Sequence, residues 1–279
     1  AAAPAFGDQN VAIGQYQRLP RDLEVLGDRL VLVALRPHRR LPAPFRRLLL
    51  GVTPLTPTGS AALIGDAVAR YGWDALSALG AFAGAVYLGL LLVIALVYPV
   101  LLAANGLSPL RFFAGAWPAI QLGFVSRSSI GTLPVTEAAA ERLGVPRSYA
   151  AFAVPLGATT KMDGCAAIYP AIAAIFVAQF YGIQLTATSY ALIAFVSVIG
   201  SAATAGLTGA TVMLTLTLST LGLPLEGAGL LLAIDPILDM GRTAVNVAGQ
   251  ALIPTIVAKR EGILDEARWS DPEGNPQPV

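Results

Sequence analysis

The chain has 279 residues, of which 55% are hydrophobic and only 13% are charged, about half the charged share of an average soluble domain. This composition favours a multi-pass protein of the cell membrane. A net charge of +1 without an arginine–aromatic pattern argues against nucleic acid as a partner. One cysteine and one histidine exclude an internal disulfide and a multi-histidine metal site.

The first predicted segment, residues 1–50, is an atypical basic stretch. It carries several prolines and no apolar run that could cross a bilayer, and its clustered arginines are Arg36, Arg39, Arg40, Arg46 and Arg47. We interpret it either as disordered or as an altered start that replaced earlier membrane spans. Residues 52–71 are weakly apolar and are compatible with the end of a helix. Residues 75–104 form the clearest span, long enough to cross about 30 Å of hydrocarbon.

Beyond residue 106 the apolar blocks are short and interrupted. We predict two helices flanking a turn rich in serine and glycine, then a broken span, and then two short helical halves joined by a glycine-containing tip. In order these are residues 109–126, the turn 126–134, residues 135–144, residues 148–181 broken at Gly157–Cys165, and residues 186–203 and 210–222 joined by Thr204–Gly209. This pattern indicates re-entrant hairpins and unwound helices, which membranes tolerate only where the backbone is buried or lines a cavity.

A polar stripe lies in the last apolar segment, residues 227–258. Its side chains recur at steps of four, three, four and four, at Asp235, Asp239, Arg242, Asn246 and Gln250. These steps keep them on one helical face. Each charge at membrane depth costs about 2.5–3.5 kcal/mol on insertion scales. The stripe must therefore face partners, water or a ligand.

The interruptions supply groups suited to binding an ion and a zwitterion. An unwound stretch around Asp163 frees carbonyls beside a carboxylate, a suitable shell for a hard monovalent cation. A serine pair opening a half-helix suits a substrate carboxylate. Arg242 can bind a carboxylate through two parallel bonds, and Asp239 can accept an ammonium. The residues therefore predict a zwitterionic acidic ligand.

Four blocks resemble the glutamate transporter family, the dicarboxylate/amino acid:cation symporters. Ser126–Pro134 resembles the serine-rich first hairpin, Lys161–Cys165 the NMDGT motif of the unwound seventh helix, Ser201–Gly209 the second hairpin, and Asp235–Gly249 the eighth helix. The resemblance runs from about residue 52 to 262. It implies an all-α polytopic membrane protein whose transport domain has two re-entrant helical hairpins and broken helices.

The resemblance also implies a domain order. Residues 51–106 would hold the last part of a scaffold helix and a transmembrane helix, and residues 107–262 the transport domain. Residues 263–279 would form a C-terminal tail. The family's first three spans, and the start of its fourth, have no counterpart in residues 1–50.

By the same resemblance, Arg242 would bind the side-chain carboxylate of the substrate, Asp239 its amino group and Asn246 its main-chain carboxylate. The full implied substrate set is Ser128, Ser129, Cys165, Leu207, Asp239, Arg242, Thr243 and Asn246. The substrate class is acidic amino acids or C4 dicarboxylates, and Asp239 favours the amino acids. Cys165 stands where the family usually has threonine, a stronger hydrogen-bonding partner.

The implied cation ligands are Gly157, Thr159, Met162, Asp163, Ser201, Thr204, Asp235 and Asn246. Two positions depart from the family: Lys161 replaces an asparagine, and Gln250 replaces a sodium-binding aspartate. Together they change the local charge by about two units, an expensive change in a poorly solvated site. Either the Lys161 ammonium stands in for a bound cation, or it extends to water.

The sequence therefore predicts a symporter that is not an enzyme, working by an elevator-type mechanism. Its coupling ion would be Na⁺ or H⁺, and no other cofactor is expected. Its expected partners are a small acidic substrate and the lipid bilayer. If the scaffold is present, the protein would form a homotrimer. One alternative is a transport-incompetent fragment of such a carrier. A remote alternative is an intramembrane aspartyl protease using Asp163 and Asp239; Arg242 argues against it, because it would keep a carboxylate ionised.

Overall fold

A computed structural model describes residues 73–201, 209–232 and 234–270, and every regular element in these ranges is helical. All of them belong to one compact unit, Thr56–Val279. The predicted N-terminal segment 1–50 and the weakly apolar stretch 52–71 lie outside the described residues. So do Thr204 and Leu207 of the second hairpin and the last nine residues of the predicted tail.

The described helices follow one another with short connections. In chain order they are α1 (Trp73–Leu92), a π-helical turn (Val93–Val97), α2 (Tyr98–Ala104), α3 (Pro109–Ser126), α4 (Leu133–Arg142), α5 (Arg147–Thr160), a second π-helical turn (Asp163–Ile168), α6 (Tyr169–Phe180), α7 (Ala187–Ser201), α8 (Gly209–Thr220), α9 (Glu226–Leu232), α10 (Asp235–Arg260) and α11 (Glu266–Ser270).

The first predicted span is confirmed as a continuous helical run over Ser77–Ala104, with a mean hydropathy of 2.6. Its π-helical turn was not predicted. There the Tyr98 N–H donates to the carbonyl of Val93, five residues back, and Pro99, which has no N–H to donate, follows directly. Leu88, Leu91 and Leu96 on this run are exposed, which fits a lipid-facing surface.

The first predicted hairpin is formed by α3 and α4, joined by the turn Arg127–Thr132. α3 ends where Arg127 adopts a left-handed conformation with φ 54°. That conformation is uncommon for a residue with a side chain. The amphipathic helix predicted at 135–144 begins two residues earlier, with Pro134 in its first turn, a position that proline favours because no N–H is needed there.

The predicted broken span is confirmed over Arg147–Phe180, whose mean hydropathy is 1.5. α5 ends at Thr160, and Lys161 and Met162 leave helical geometry with ψ of 87° and 67°. The chain then re-enters a helix through the turn Asp163–Ile168. Gly164 lies so close to α10 that a Cβ there would be 2.5 Å from the Arg242 carbonyl oxygen. Glycine permits this close approach.

The second hairpin consists of α7 and α8, and its tip lies outside the described residues. The predicted polar segment 227–258 is divided between α9 and α10, with Ile234 leaving helical geometry immediately before Asp235 and Pro236. α10 is buried over most of its length. It packs against α3, α5 and the turn Asp163–Ile168, and this position brings the polar stripe into the centre of the fold.

Candidate functional site

α10 places a charged triad inside the protein. The guanidinium of Arg242 is fully buried. Its Nη2 lies 2.8 Å from Oδ1 of Asp235 and 3.1 Å from Oδ1 of Asp239. A buried charge is tolerated when it is paired and hydrogen-bonded. The two carboxylates provide that pairing. Their side chains are each about one-quarter exposed.

The rest of the Arg242 guanidinium is enclosed by the protein. Its Cζ lies 4.1 Å from the centre of the Tyr169 ring, a cation–π arrangement that holds the plane of the group. Within the described residues, Nε and Nη1 are buried without a hydrogen-bond partner. Buried donors without partners are uncommon, so these two nitrogens distinguish Arg242 from an ordinary buried ion-paired arginine.

A cavity of about 490 Å³ opens beside the triad. Its lining comes from the first hairpin, the broken span, α8 and α10. The lining residues are Arg127, Ser128, Ser129, Ile130, Met162, Cys165, Ala210, Thr211, Asp235, Asp239, Arg242, Thr243 and Asn246. Seven of the eight predicted substrate residues are among them, and the eighth, Leu207, lies outside the described residues.

Hydrogen bonds hold the predicted substrate residues in place. Oδ1 of Asp239 accepts from Arg242 and also lies 3.5 Å from the Thr243 hydroxyl and 3.9 Å from Sγ of Cys165. Oδ1 of Asn246 accepts from the Gly164 N–H at 2.8 Å, and its Nδ2 donates to Sγ of Cys165 at 3.0 Å. The unwound segment and α10 are therefore joined directly at the cavity wall.

A second polar cluster lies at the break in the span. The Lys161 ammonium pairs with Oδ2 of Asp163, and the Tyr98 hydroxyl donates to the same oxygen at 2.6 Å. Lys161 Nζ also lies 5.5 Å from the centre of the Tyr98 ring. All three groups lie over Gly249 of α10. The ammonium therefore points inward to Asp163, and its side chain is only 22% exposed.

Gln250, next to this cluster, is fully buried and incompletely paired. Its Nε2 lies 3.5 Å from the Lys161 carbonyl oxygen, and its Oε1 has no hydrogen-bond partner among the described residues. A buried amide oxygen without a partner costs about 1–3 kcal/mol. An amide thus occupies the position where the resemblance predicts an ion-binding aspartate.

The predicted cation ligands that the structure describes lie in different parts of the site. The Gly157 carbonyl accepts from the Lys161 N–H at 2.8 Å, and the Thr159 hydroxyl donates to the Leu156 carbonyl, so both are used within α5. Met162 and Asp235 line the cavity rather than the Lys161 cluster. Ser201 ends α7, and Thr204 lies outside the described residues. Asp163 and Asn246 remain at the junction of the break with α10.

Arg127 and Tyr98 were absent from the predicted set, as were the cavity-lining residues Ile130, Ala210 and Thr211. Arg127 lines the cavity at the end of α3, and its place between serines in Ser126–Ser129 is a signal that could have identified it. Tyr98 contacts Asp163 from a span 65 residues earlier. Nothing in the sequence around Tyr98 distinguishes it from other aromatic residues of an apolar helix.

Paired helical hairpins, a broken span and charged groups converging on a central cavity define a class of polytopic membrane proteins, the secondary transporters. The model of the sodium:dicarboxylate symporter family matches residues 45–260, and the chain belongs to this family.

Among curated proteins, the chain is 39% identical over 234 residues to the L-cystine uptake protein TcyP of Shouchella clausii, covering 83% of this chain and 50% of that protein. It is 35% identical over 218 residues to the proton/sodium-glutamate symport protein of Bacillus subtilis, covering 78% and 51%. It is 36% identical over 230 residues to TcyP of Bacillus cereus, covering 80% and 49%. The chain thus spans about half the length of the curated relatives it matches.

Membership of the family confirms the predicted all-α, multi-pass membrane class and its location in the cell membrane. The family and these relatives are transporters rather than enzymes, which agrees with the prediction that the chain is not an enzyme. The remote alternative of an intramembrane aspartyl protease using Asp163 and Asp239 is therefore not supported.

Proposed function

We propose that this chain provides the binding and moving part of a symporter for amino acids that carry a second carboxylate. The observation that supports this most strongly is the buried Arg242, held by Asp235 and Asp239 at the wall of a polar cavity. The site offers carboxylate oxygens to an ammonium and guanidinium donors to a carboxylate. One amino acid with an acidic group satisfies both.

Asp239 favours amino acids over C4 dicarboxylates as substrates. Its carboxylate faces the cavity, and a ligand without an ammonium would place a negative charge beside it. Like charges close together in a poorly solvated site are unfavourable. The names of two relatives, a glutamate symport protein and an L-cystine uptake protein, both denote amino acids with two carboxylates. Thr243, Asn246, Ser128, Ser129 and Cys165 complete the proposed site.

The proposed coupling ion is Na⁺ or H⁺, with fewer ion sites than in the family pattern. Lys161 supports a smaller number of ion sites, since its ammonium pairs with the carboxylate of Asp163 inside the protein instead of extending to water. Gln250 supports it too, since an amide cannot supply the charge of an aspartate. We infer that the Lys161 ammonium takes the place of one bound cation, and that Asp163 and Asn246 remain for another.

The proposed movement is elevator-like. Residues 107–262 would carry substrate and ion across the membrane, and the second hairpin would close once the substrate is bound. By the resemblance, the stationary scaffold forms a homotrimer. In the family, most of this scaffold is built by spans that come before the part corresponding to residue 51. A second candidate is that this stretch binds substrate but does not transport it alone.

The test is uptake of labelled L-aspartate into proteoliposomes containing the chain, under an inward sodium gradient, an inward proton gradient, or neither. Equilibrium binding of aspartate, glutamate and cystine is measured in parallel. Gradient-dependent uptake supports the symporter. Binding without uptake supports the second candidate, a unit that binds substrate without transporting it. Absence of binding of aspartate, glutamate and cystine contradicts the proposed function in both forms.

A further inference from the structure

Tyr98 joins three separate elements at the Lys161 cluster. Its side chain comes from α2 and is only 1% exposed. The hydroxyl oxygen lies 2.6 Å from Oδ2 of Asp163 in the unwound break and 3.1 Å from the carbonyl oxygen of Val245 in α10. A hydroxyl has one proton to donate, and the shorter contact is the charge-assisted bond to the carboxylate. Tyr98 therefore holds the Asp163 carboxylate against α10.

The same tyrosine contacts both members of the ion pair. Oδ2 of Asp163 accepts from the Tyr98 hydroxyl and also pairs with the Lys161 ammonium. Nζ of Lys161 lies 5.5 Å from the centre of the Tyr98 ring. Gly249 leaves room for the hydroxyl, since a Cβ on this glycine would lie 2.6 Å from the hydroxyl oxygen. Two donors thus share one carboxylate oxygen, and a mobile cation reaches that oxygen only by displacing one of them.

The cluster is connected to the substrate cavity through a single backbone step. Gly164 directly follows Asp163, and its N–H donates to Oδ1 of Asn246 at 2.8 Å. Asn246 lines the cavity and belongs to the proposed substrate residues. A contiguous chain of contacts therefore runs from the Tyr98 hydroxyl to the cavity wall, as coupling between an ion site and a substrate site requires in a packed protein.

We propose that Tyr98 is the positioning residue of the Lys161–Asp163 pair and thereby determines how strongly substrate binding depends on sodium. This rests on the proposed function, in which the Lys161 ammonium takes the place of one bound cation. With the hydroxyl present, the Asp163 carboxylate is held in the orientation that the ammonium meets. Without the hydroxyl, the carboxylate is free to turn and has more capacity to bind a sodium ion. Tyr98 acts through Asp163, since it does not line the cavity itself.

The test is the sodium dependence of substrate binding in the purified full chain carrying Tyr98→Phe. This variant keeps the aromatic ring and its packing and removes only the hydroxyl. Binding of labelled L-glutamate, L-aspartate and L-cystine is measured as a function of sodium concentration, with choline keeping the ionic strength constant. We expect sodium to raise the apparent affinity by about fivefold or more beyond its effect on the unaltered chain, the lower end of a typical coupling between two sites.

Tyr87→Phe is the matched control. Tyr87 lies on the same helical run, and its hydroxyl also donates to α10, at the carbonyl of Ile237 and 2.6 Å away. Within the described residues it forms no hydrogen bond with Lys161 or Asp163. We expect this variant to keep the sodium dependence of the unaltered chain, even if both phenylalanine variants lose some thermal stability.

A double-variant cycle with Lys161→Asn provides a readout that a merely structural role would not change. If Tyr98 acts through the ion pair, its effect requires the lysine. Tyr98→Phe should then add nothing to the sodium dependence of Lys161→Asn, the non-additivity expected of residues in one network. The proposal is overturned if Tyr98→Phe and the unaltered chain show equal sodium dependence, or if Tyr98→Phe adds the same factor with and without the lysine.

Gly249→Ala is a second route if Tyr98→Phe does not fold, because its Cβ would displace the hydroxyl; an unchanged sodium dependence in this variant also overturns the proposal. The assay separates this proposal from the proposed function. If the unaltered chain binds substrate and only Lys161→Asn raises the sodium dependence, the role of Tyr98 is overturned and the substrate site stands. If none of the three amino acids binds, both are overturned.

Discussion

Lys161 and Asp163 form their ion pair directly over Gly249, where a Cβ on the glycine would lie 3.2 Å from Nζ and 3.1 Å from Oδ2. The missing side chain on α10 creates the space in which the ammonium meets the carboxylate. Because the Tyr98 hydroxyl donates to the same carboxylate oxygen, Asp163 has less capacity left for a mobile cation than an unpaired aspartate has.

Replacing Lys161 by asparagine, the residue that the family pattern has there, should increase the sodium dependence of substrate binding. The change removes the internal ammonium and leaves Asp163 free to bind an ion. We expect sodium to raise the apparent substrate affinity by an additional factor in the range of about 5- to 150-fold, a typical coupling between two sites. The measurement is substrate binding as a function of sodium concentration.

The control for this change is Lys259→Asn, which alters a lysine paired with Glu266 at the far end of α10. It should leave the sodium dependence as it is in the unaltered chain. An unchanged sodium dependence in a folded Lys161→Asn variant would show that the ammonium does not take the place of an ion.

Asp239→Asn should weaken binding of amino acid substrates strongly. It removes the charged acceptor that we assign to the substrate ammonium and keeps the size of the side chain. A hydrogen bond to a charged group contributes about 1.5–3 kcal/mol, so the dissociation constant should rise by roughly 10- to 150-fold. Isothermal titration with glutamate and cystine measures it.

Glu266→Gln, which removes a surface carboxylate of α11, is the matched control and should bind both ligands normally. If Asp239→Asn binds them as tightly as the unaltered chain does, the Asp239–Arg242 pair is structural and the ammonium binds elsewhere.

Gly164→Ala should destabilise the protein and abolish substrate binding. The added Cβ would meet backbone atoms of Arg242 at 2.5 to 2.9 Å, and backbone on a packed helix cannot move aside at low cost. Overpacking of this kind costs about 1–3 kcal/mol or more. Thermal unfolding in detergent and substrate binding are the two readouts.

Gly84→Ala is the control, since a Cβ on this residue of α1 has no neighbour within 4 Å. We expect this variant to be as stable as the unaltered chain or slightly more stable, because alanine favours a helix. Equal stability of the two alanine variants would mean that the break does not pack against α10 as described.

Arg242→Met should lower stability as well as binding, because it leaves Asp235 and Asp239 close together without their shared cation. Removing one partner of a buried pair costs about 3–5 kcal/mol. Adding Asp235→Asn to this variant should recover part of the lost thermal stability, since it removes one of the two carboxylates. No recovery in the double variant would contradict the shared pairing.

Much of the fold could be predicted because its determinants are local. The interruption at Lys161–Asp163 follows from polar residues within an apolar run, and the stripe from Asp235 to Gln250 follows from helical spacing. The grouping of side chains across elements could not be predicted in the same way. Whether Asp235 meets Arg242 or an ion depends on two side-chain conformations, and the contact of Tyr98 with Asp163 depends on how separate spans pack.

The measurement that tests the central claim most directly is protection of Cys165, the single cysteine of the chain. Its sulfur lies beside Asp239 and Asn246 at the cavity wall. A small methanethiosulfonate reagent is applied with and without saturating substrate, and modification is followed by intact mass. If the cavity is the substrate site, glutamate or cystine slows modification of Cys165, and succinate, which lacks the ammonium, does so much less. Modification at the same rate with and without these amino acids would contradict the assignment of this cavity as the substrate site.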